Sequence, residues 1–215
     1  MSLIGKNRHI FSYKNKNETG KKYINKDFEK TSSYRTNFSM AVFENTSFRA
    51  SKFKYCSFYG ARFKSSEFIG TNLKGCKFKN ATFENCVITS ANIKKATFKD
   101  ASFHHCFIIG INKDYFKSAI FRNCKFYDNY PTLSNISPSL LKIIEALRSN
   151  DIVRRSHTLH LKKGKINTLT VMILSELYDE TELTRLLPLV PNYLTTQFYT
   201  TSYLTHLLKK IQNSV

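Results

Sequence analysis

The sequence predicts a mainly β protein, in which a solenoid that turns a corner every five residues is followed by an all-α region. The first observation is that every fifth residue from Phe38 to Ile108 is large and apolar, fifteen positions in a row. The second is a small residue two places before each of them, from Thr36 to Cys106. Because a period of five fits neither a helix nor a strand, each side of the coil must point one large and one small side chain inward.

The predicted corners carry residues that tolerate tight-turn backbone angles. Two residues after a central apolar position lie glycines and asparagines, which adopt such angles more readily than other residues. They are Gly60, Gly70, Gly75, Gly110, Asn45, Asn80 and Asn85. Four of the seven glycines of the chain occupy this one position, which supports the five-residue period.

The repeating unit resembles that of the pentapeptide-repeat proteins, whose consensus is A-(D/N)-L-x-x. The segments 61–63, 71–73 and 91–93 (ARF, TNL and ANI) are variants of it. The resemblance implies a right-handed, four-sided β-helix with four pentapeptides per coil, so that residues twenty apart stack on one face. It covers residues 36–127, with one irregular step of eight residues from Ile108 to Phe116.

The segments on either side lack this period. Residues 1–35 contain nine Lys and Arg against three Asp and Glu. We expect them to form a basic N-terminal arm with at most an irregular first coil, because Phe28 fits the period and Ser33 does not. Residues 128–215 have helical spacing and are expected to form a C-terminal cap or a separate interaction region, since the open end of a solenoid must be sealed.

Four helices are predicted in the C-terminal region. Ser137-Pro138 begins the first, and the second runs from about Asn167 to Tyr178. Asp179 and Glu182 have the spacing of a capping pair and begin the third, which ends at Pro188 and Pro191. The last helix carries one apolar face, formed by Leu204, Leu207, Leu208 and Ile211.

Eight lysines gather on the fourth face of the predicted coil and around the adjoining corner. They are Lys52, Lys54, Lys74, Lys94, Lys95, Lys77, Lys79 and Lys99, and we call them the lysine stripe. Stacked like charges repel each other unless an anion lies across them. The stripe is therefore either a binding surface for an anionic partner or a solvated face that keeps the protein soluble.

Outward positions on the third face are apolar. Ile69, Val87, Phe107 and Ile109 form a candidate apolar interface, because a contiguous apolar patch on a solenoid usually marks a contact surface. Three partners stay open: the chain's own C-terminal region, a second copy that would give a homodimer, and a foreign protein.

The sequence contains no recognisable catalytic or metal-binding constellation. It lacks a glycine-rich phosphate loop, a nucleophile elbow and paired carboxylates, and the acids of the repeat region are expected to be outward and scattered. The five cysteines, Cys56, Cys76, Cys86, Cys106 and Cys124, occupy small inward positions and are expected to be buried free thiols. His104 and His105 are expected to be solvated, and the pair His157 and His160 lacks further ligands. We predict a non-enzymatic protein without cofactors.

The charge of the chain suggests the class of partner. Lys and Arg outnumber Asp and Glu by 34 to 15, which favours an acidic protein surface and also allows nucleic acid or an anionic membrane. We therefore predict a protein-interaction scaffold. The N-terminal residues lack the apolar core of a secretory signal, so a cytoplasmic bacterial protein is expected, and an injected effector adaptor stays open.

The family resemblance implies another function, the protection of DNA gyrase and topoisomerase IV from quinolones or peptide toxins. That activity is attributed to a rod that resembles duplex DNA in shape and negative charge. Residues 36–127 hold fifteen Lys and Arg and five Asp and Glu, which is the opposite sign. Topoisomerase binding is thus the alternative to the scaffold, and direct nucleic-acid binding, which should weaken strongly with salt, is a further one.

Overall fold

In the computed structural model, the chain divides into two units, Met1–Asn129 and Tyr130–Val215, and residues 11–132 and 136–214 are described. The first unit is a solenoid of short parallel strands, each of three residues. Its strands are β1 (Lys22–Ile24), β2 (Ser32–Tyr34), β3 (Val42–Glu44), β4 (Lys52–Lys54), β5 (Arg62–Lys64), β6 (Glu67–Ile69), β7 (Thr82–Glu84), β8 (Val87–Thr89), β9 (Ser102–His104), β10 (Phe107–Ile109), β11 (Ile120–Arg122) and β12 (Lys125–Tyr127).

The strands stack into faces with a register of twenty residues, as the four-sided coil predicts. The second face is the sheet β1-β3-β5-β7-β9-β11, and the third is β6-β8-β10-β12. The fourth face is β2-β4, continued by bridges from Lys52 to Asn72 and from Asn72 to Asn92. The first face is joined by single bridges, such as Ser57 to Lys77. The predicted solenoid is confirmed.

Phenylalanine ladders fill the interior of the solenoid. On the second face Phe63 stacks on Phe43 with ring centroids 5.0 Å apart, and on Phe83 at 4.8 Å. All three side chains are buried. Stacked rings contribute on the order of 1 kcal/mol per pair beyond the burial of their area. The inward positions found in the sequence are thus the core of this unit.

The solenoid starts earlier than predicted, so the arm expected for residues 1–35 was wrong for residues 11–35. β1 pairs with β3, and β2 pairs with β4 in the regular register, with Ser33 buried opposite Phe53. Backbone hydrogen bonds to the next coil hold this position, as in the bond of 3.0 Å from Arg35 N–H to the Lys54 carbonyl. A serine can therefore fill a position where the period requires a large residue. Residues 1–10 lie outside the described residues.

The irregular step after Ile108 shortens one coil by two residues. β11 pairs with β9 at an offset of eighteen, with Phe121 opposite Phe103. A short 3-10 helix, Lys113–Tyr115, occupies the shortened side and is capped by Asn112, whose side chain accepts a hydrogen bond from the Asp114 N–H at 2.8 Å. The period then resumes through β11 and β12.

The second unit is helical, as predicted. Its helices are α1 (Pro138–Ala146), α2 (Asp151–Ser156), α3 (Thr168–Leu177), α4 (Glu180–Leu186), α5 (Val190–Tyr193) and α6 (Thr201–Gln212). Their apolar faces form a core of their own, with Leu183, Leu186, Leu204 and Leu208 among its buried members. In the part of the chain that is described, no helix has the length and hydropathy to cross a membrane.

The predicted helix starts are confirmed in this unit, whereas Pro191, which was expected to end a helix, lies in the first turn of α5. Ser137 caps α1 by accepting a hydrogen bond from the Leu140 N–H at 3.1 Å. Asp179 and Glu182 form a full capping box at the start of α4, with bonds of 2.7 and 3.1 Å. The structure adds α2 and α5, which the periodicity does not show because α2 has six residues and α5 has four. Helices this short bury too few residues to produce a recognisable repeat.

Candidate partner-binding surface

The lysine stripe lies on the fourth face, on the first face and along the corner between them. Lys74 is partly exposed and the other seven lysines are exposed. Lys54, Lys74 and Lys94 hold equivalent positions in successive coils, as the bonds of 3.0 Å from Tyr55 N–H to the Lys74 carbonyl and from Gly75 N–H to the Lys94 carbonyl show. Adjacent lysines of this column therefore start from backbones about 4.8 Å apart.

Lys79 and Lys99 form a second column at the far side of the first face. The Asn80 N–H donates to the Lys99 carbonyl at 3.1 Å, which fixes these neighbours in register. Lys77 is the first outward residue of the first face after the corner, and Lys95 lies on the corner itself. The structure thus brings all eight predicted residues to two adjoining faces of the solenoid.

The cations of the stripe are not balanced by acidic side chains. Within residues 11–132 and 136–214, none of the eight lysines forms an ion pair. On the second face, by contrast, Glu44 lies opposite Lys64, and Lys64 lies opposite Glu84. Opposite charges at such cross-strand positions stabilise a sheet and like charges destabilise it. The second face is thus arranged for stability, and the stripe is not.

The acids of the solenoid are less scattered than the sequence suggested. Glu44 and Glu84 flank Lys64, and Glu67, although it stands at an outward position of β6, is fully buried. The Arg49 guanidinium lies 3.5 Å from its carboxylate. A buried carboxylate requires a cation nearby, because the transfer of a single ion from water into a protein interior costs on the order of several kcal/mol.

Aromatic side chains lie among the lysines. The exposed ring of Tyr55 extends over Gly75 of the next coil, and Tyr34 meets Tyr55 edge to face, with ring centroids 5.9 Å apart. The Arg35 guanidinium lies 5.2 Å from the centroid of the Tyr34 ring. This grouping was missed in the analysis of the sequence. The packing of Tyr55 on Gly75 has a signal in the sequence, namely a large corner residue followed twenty positions later by glycine. Met40 and Gly60 repeat this pattern.

The candidate apolar interface differs from an open patch. Val87 and Ile109 are buried, with exposed fractions of 2% and 1%, while Ile69 and Phe107 are partly exposed. Thr89, between them on the same face, is also buried. These outward positions of the third face are therefore largely withdrawn from solvent within a single chain.

The cysteines are free thiols in the inward positions, and Cys124 is partly exposed at the last coil. Burial raises the pKa of the Cys76 thiol, and it raises that of Cys106 well above the ordinary value. The thiol of Cys76 donates to the Phe53 carbonyl at 3.3 Å, and that of Cys86 donates to the Phe63 carbonyl at 3.4 Å. Both thiols satisfy backbone acceptors of the neighbouring coil, and the raised pKa of Cys76 keeps that thiol in the unreactive protonated form.

The histidines differ from one another in their surroundings. His104 is partly exposed opposite Glu84, and His105 is exposed. His160 is buried in the helical unit, where its Nε2 lies 2.8 Å from the Ile144 carbonyl. Among the described residues, no three His, Cys, Asp or Glu side chains come together as a metal ion would need.

The coil geometry defines the class of the first unit, a parallel β-solenoid with a five-residue period. Two family models, described as pentapeptide repeats of nine copies and of eight copies, match residues 63–106 and residues 34–65. Residues 34–106 of the solenoid are therefore pentapeptide repeats. No curated protein matches the chain.

Several solved structures are similar to this chain. A pentapeptide repeat protein from the thylakoid lumen of Arabidopsis thaliana is 15% identical with a TM-score of 0.35, and the match covers 72% of this chain and 90% of that chain. QnrB1, a plasmid-mediated fluoroquinolone resistance protein, is 15% identical with a TM-score of 0.26, covering 55% and 90%. HetL, a protein of the cyanobacterium Nostoc involved in heterocyst differentiation regulation, is 13% identical with a TM-score of 0.19, covering 58% and 79%.

Proposed function

We propose that this protein is a non-enzymatic interaction scaffold whose lysine stripe binds an acidic surface of another protein. The observation that carries the proposal is the contrast between two faces of one solenoid. The second face alternates Glu44, Lys64 and Glu84, whereas the column Lys54, Lys74 and Lys94 stacks like charges. A chain selected only for solubility has no reason to alternate opposite charges on one face and to stack like charges on another. A stack that repels itself is stabilised when an anionic partner lies across it.

The positive charge of the repeat region argues against topoisomerase binding, the alternative function that the family resemblance implies. A rod that imitates DNA presents negative charge, whereas residues 36–127 hold fifteen Lys and Arg against five Asp and Glu. The stripe is complementary to acidic surfaces and not to the basic surfaces that bind DNA. Topoisomerase binding and nucleic-acid binding therefore enter as outcomes of the test.

The proposal is tested by capture from lysate at physiological salt, with and without nuclease. The bait is the wild-type chain or the variant Lys54→Gln/Lys74→Gln/Lys94→Gln. A charge-matched control, Arg62→Gln/Lys64→Gln/Arg122→Gln, removes three cations from the second face and leaves the stripe intact. Comparing the two variants separates the position of the charges from their number.

A discrete acidic protein that survives nuclease, is lost with the stripe variant and is retained by the control supports the proposal. Loss of all captured material after nuclease would establish a polyanion binder instead. Capture of topoisomerase subunits would favour the family-based alternative. Equal loss with both triple variants would show that net charge alone is responsible, and the stripe would then be no binding site.

A further inference from the structure

An aromatic niche lies within the lysine stripe. A Cβ atom added at Gly75 would lie 2.5 Å from Cδ1 of the Tyr55 ring and 2.7 Å from its Cε1, so the ring rests directly on the backbone of the next coil. In chain order, Gly75 stands between Lys74 and Lys77. The ring of Tyr55 is therefore set between lysines on both sides of the corner.

The ring of Tyr55 is held in place and is nevertheless accessible. Gly75 supports one side of it and Tyr34 meets it at an interplanar angle of 89°. Even so, 47% of Tyr55 remains exposed. Tyrosine and arginine anchors that lose little conformational freedom on binding are typical of the residues that dominate protein interfaces. Arg35, over the ring of Tyr34, completes such a group.

We propose that Tyr34 and Tyr55 anchor the interface and that the partner presents an acidic segment with an aromatic or large apolar side chain beside its carboxylates. This inference rests on the proposed function and deepens it. The apolar side chain packs on Tyr55 and against Tyr34. The neighbouring carboxylates lie on Lys74 and Lys77 and continue toward Lys94 and Lys95 in the following coil.

The distribution of aromatic residues favours a protein segment over single-stranded nucleic acid. Proteins that bind single strands provide successive stacking platforms along a cationic groove. Along this corner the column reads Arg35, Tyr55, Gly75 and Lys95, so it contains a single aromatic residue, with a glycine and a lysine in the two following coils. In this protein an aromatic anchor is followed by a run of lysines. This arrangement is complementary to a partner segment in which one apolar residue is followed by a run of acids.

The test uses the full chain and fluorescein-labelled peptides at physiological salt, with affinity measured by anisotropy. One peptide carries phenylalanine followed by five glutamates, and the second has alanine in place of the phenylalanine. A ten-nucleotide oligothymidylate is the third probe. The variant Tyr55→Asn removes the ring and keeps the fold, because asparagine holds the same left-handed corner position at Asn45 and Asn80. Tyr115→Asn removes an exposed tyrosine outside the stripe and is the control.

The phenylalanine peptide should bind the wild-type chain about tenfold more tightly than the alanine peptide, a gain typical of an aromatic contact with a partly exposed anchor. Tyr55→Asn should abolish this difference and Tyr115→Asn should preserve it. Lys74→Gln should weaken both peptides by a similar factor.

Four outcomes would overturn the inference. Equal binding of both peptides, or a difference that persists in Tyr55→Asn, refutes the aromatic anchor while the Lys74→Gln effect still supports the proposed function. Failure of both peptides to bind refutes the inference and the acidic partner together. Tighter binding of the oligothymidylate with dependence on Tyr55 assigns the niche to single-stranded nucleic acid.

Discussion

The ring of Tyr55 occupies the space that a side chain at Gly75 would need, since a Cβ atom there would lie 2.5 Å from the ring atom Cδ1. Gly75 also has a φ angle of +70°, a value that residues with a Cβ adopt at a cost. Glycine at this position therefore serves two purposes: it allows the corner, and it makes room for the aromatic residue of the neighbouring coil.

This relationship predicts different costs for two glycine substitutions. Gly70 has a φ angle of +61° and no atom within 4 Å of an added Cβ, so Gly70→Ala bears only the backbone cost of about 1–2 kcal/mol. Gly75→Ala must also displace the Tyr55 ring, which adds on the order of 1 kcal/mol. The free energy of unfolding in urea measures both. The additional cost should vanish when Gly75→Ala is made in a Tyr55→Asn background, and its persistence there would contradict the steric explanation.

The charge arrangement of the two faces predicts that a substitution of Lys by Glu has opposite effects on stability at the second face and in the lysine stripe. Lys74→Glu places an acid between Lys54 and Lys94 and should raise the free energy of unfolding by a few tenths of a kcal/mol. Lys64→Glu places a third acid between Glu44 and Glu84 and should lower it by a similar amount. Unfolding midpoints at low and high salt measure the effect, which should shrink in high salt because these charged groups are in contact with solvent. A destabilising Lys74→Glu would show that the stripe is not under electrostatic stress.

The small inward positions predict how the cysteines respond to substitution. The hydroxyl of Thr71 donates to the Phe48 carbonyl at 2.8 Å, in the same way as the thiol of Cys76 donates to the Phe53 carbonyl. Cys76→Ser keeps this bond and should change the free energy of unfolding by less than about 1 kcal/mol. Cys76→Leu overfills the position and should cost about 1–3 kcal/mol. Thermal unfolding of the two variants tests this, and equal stability would indicate a core with unfilled space.

The burial of His160 predicts that the helical unit is less stable in acid. Burial lowers the pKa of its imidazole, and Arg148 adds to this, whereas the hydrogen bond to the Ile144 carbonyl and the charge of Glu145 act in the opposite direction. Among the described residues its Nδ1 has no hydrogen-bond partner. The folded state thus favours the neutral ring. Its contribution to stability is complete above the unfolded pKa of about 6.5 and is lost as the pH falls through the lower folded value.

The measurement is thermal unfolding of the full chain between pH 8 and pH 5, followed by the helical circular dichroism signal. The melting temperature of the wild type should decrease as the pH drops below about 6.5, the ordinary histidine pKa. In His160→Gln, which can still donate a hydrogen bond but does not titrate, this part of the pH dependence should disappear. An unchanged slope in that variant would assign the acid sensitivity to other groups.

The amino-acid sequence by itself determined the solenoid, its inward ladders, the position of the lysine stripe and the main helices. It could do so because a strict period fixes which side chains point inward, and because helix caps such as Asp179 with Glu182 are local signals. Local patterns of this kind need no knowledge of distant residues.

The tertiary structure decided the rest. Ser33 belongs to a regular coil because backbone hydrogen bonds from the next coil, and not its own side chain, hold it there. Val87 and Glu67 stand at outward positions of the repeat and are nevertheless buried, which periodicity cannot reveal because it gives direction and not accessibility. The support of Tyr55 by Gly75 likewise depends on the path of a side chain between coils. Burial and side-chain contacts arise between residues far apart in the chain, and only the folded arrangement specifies them.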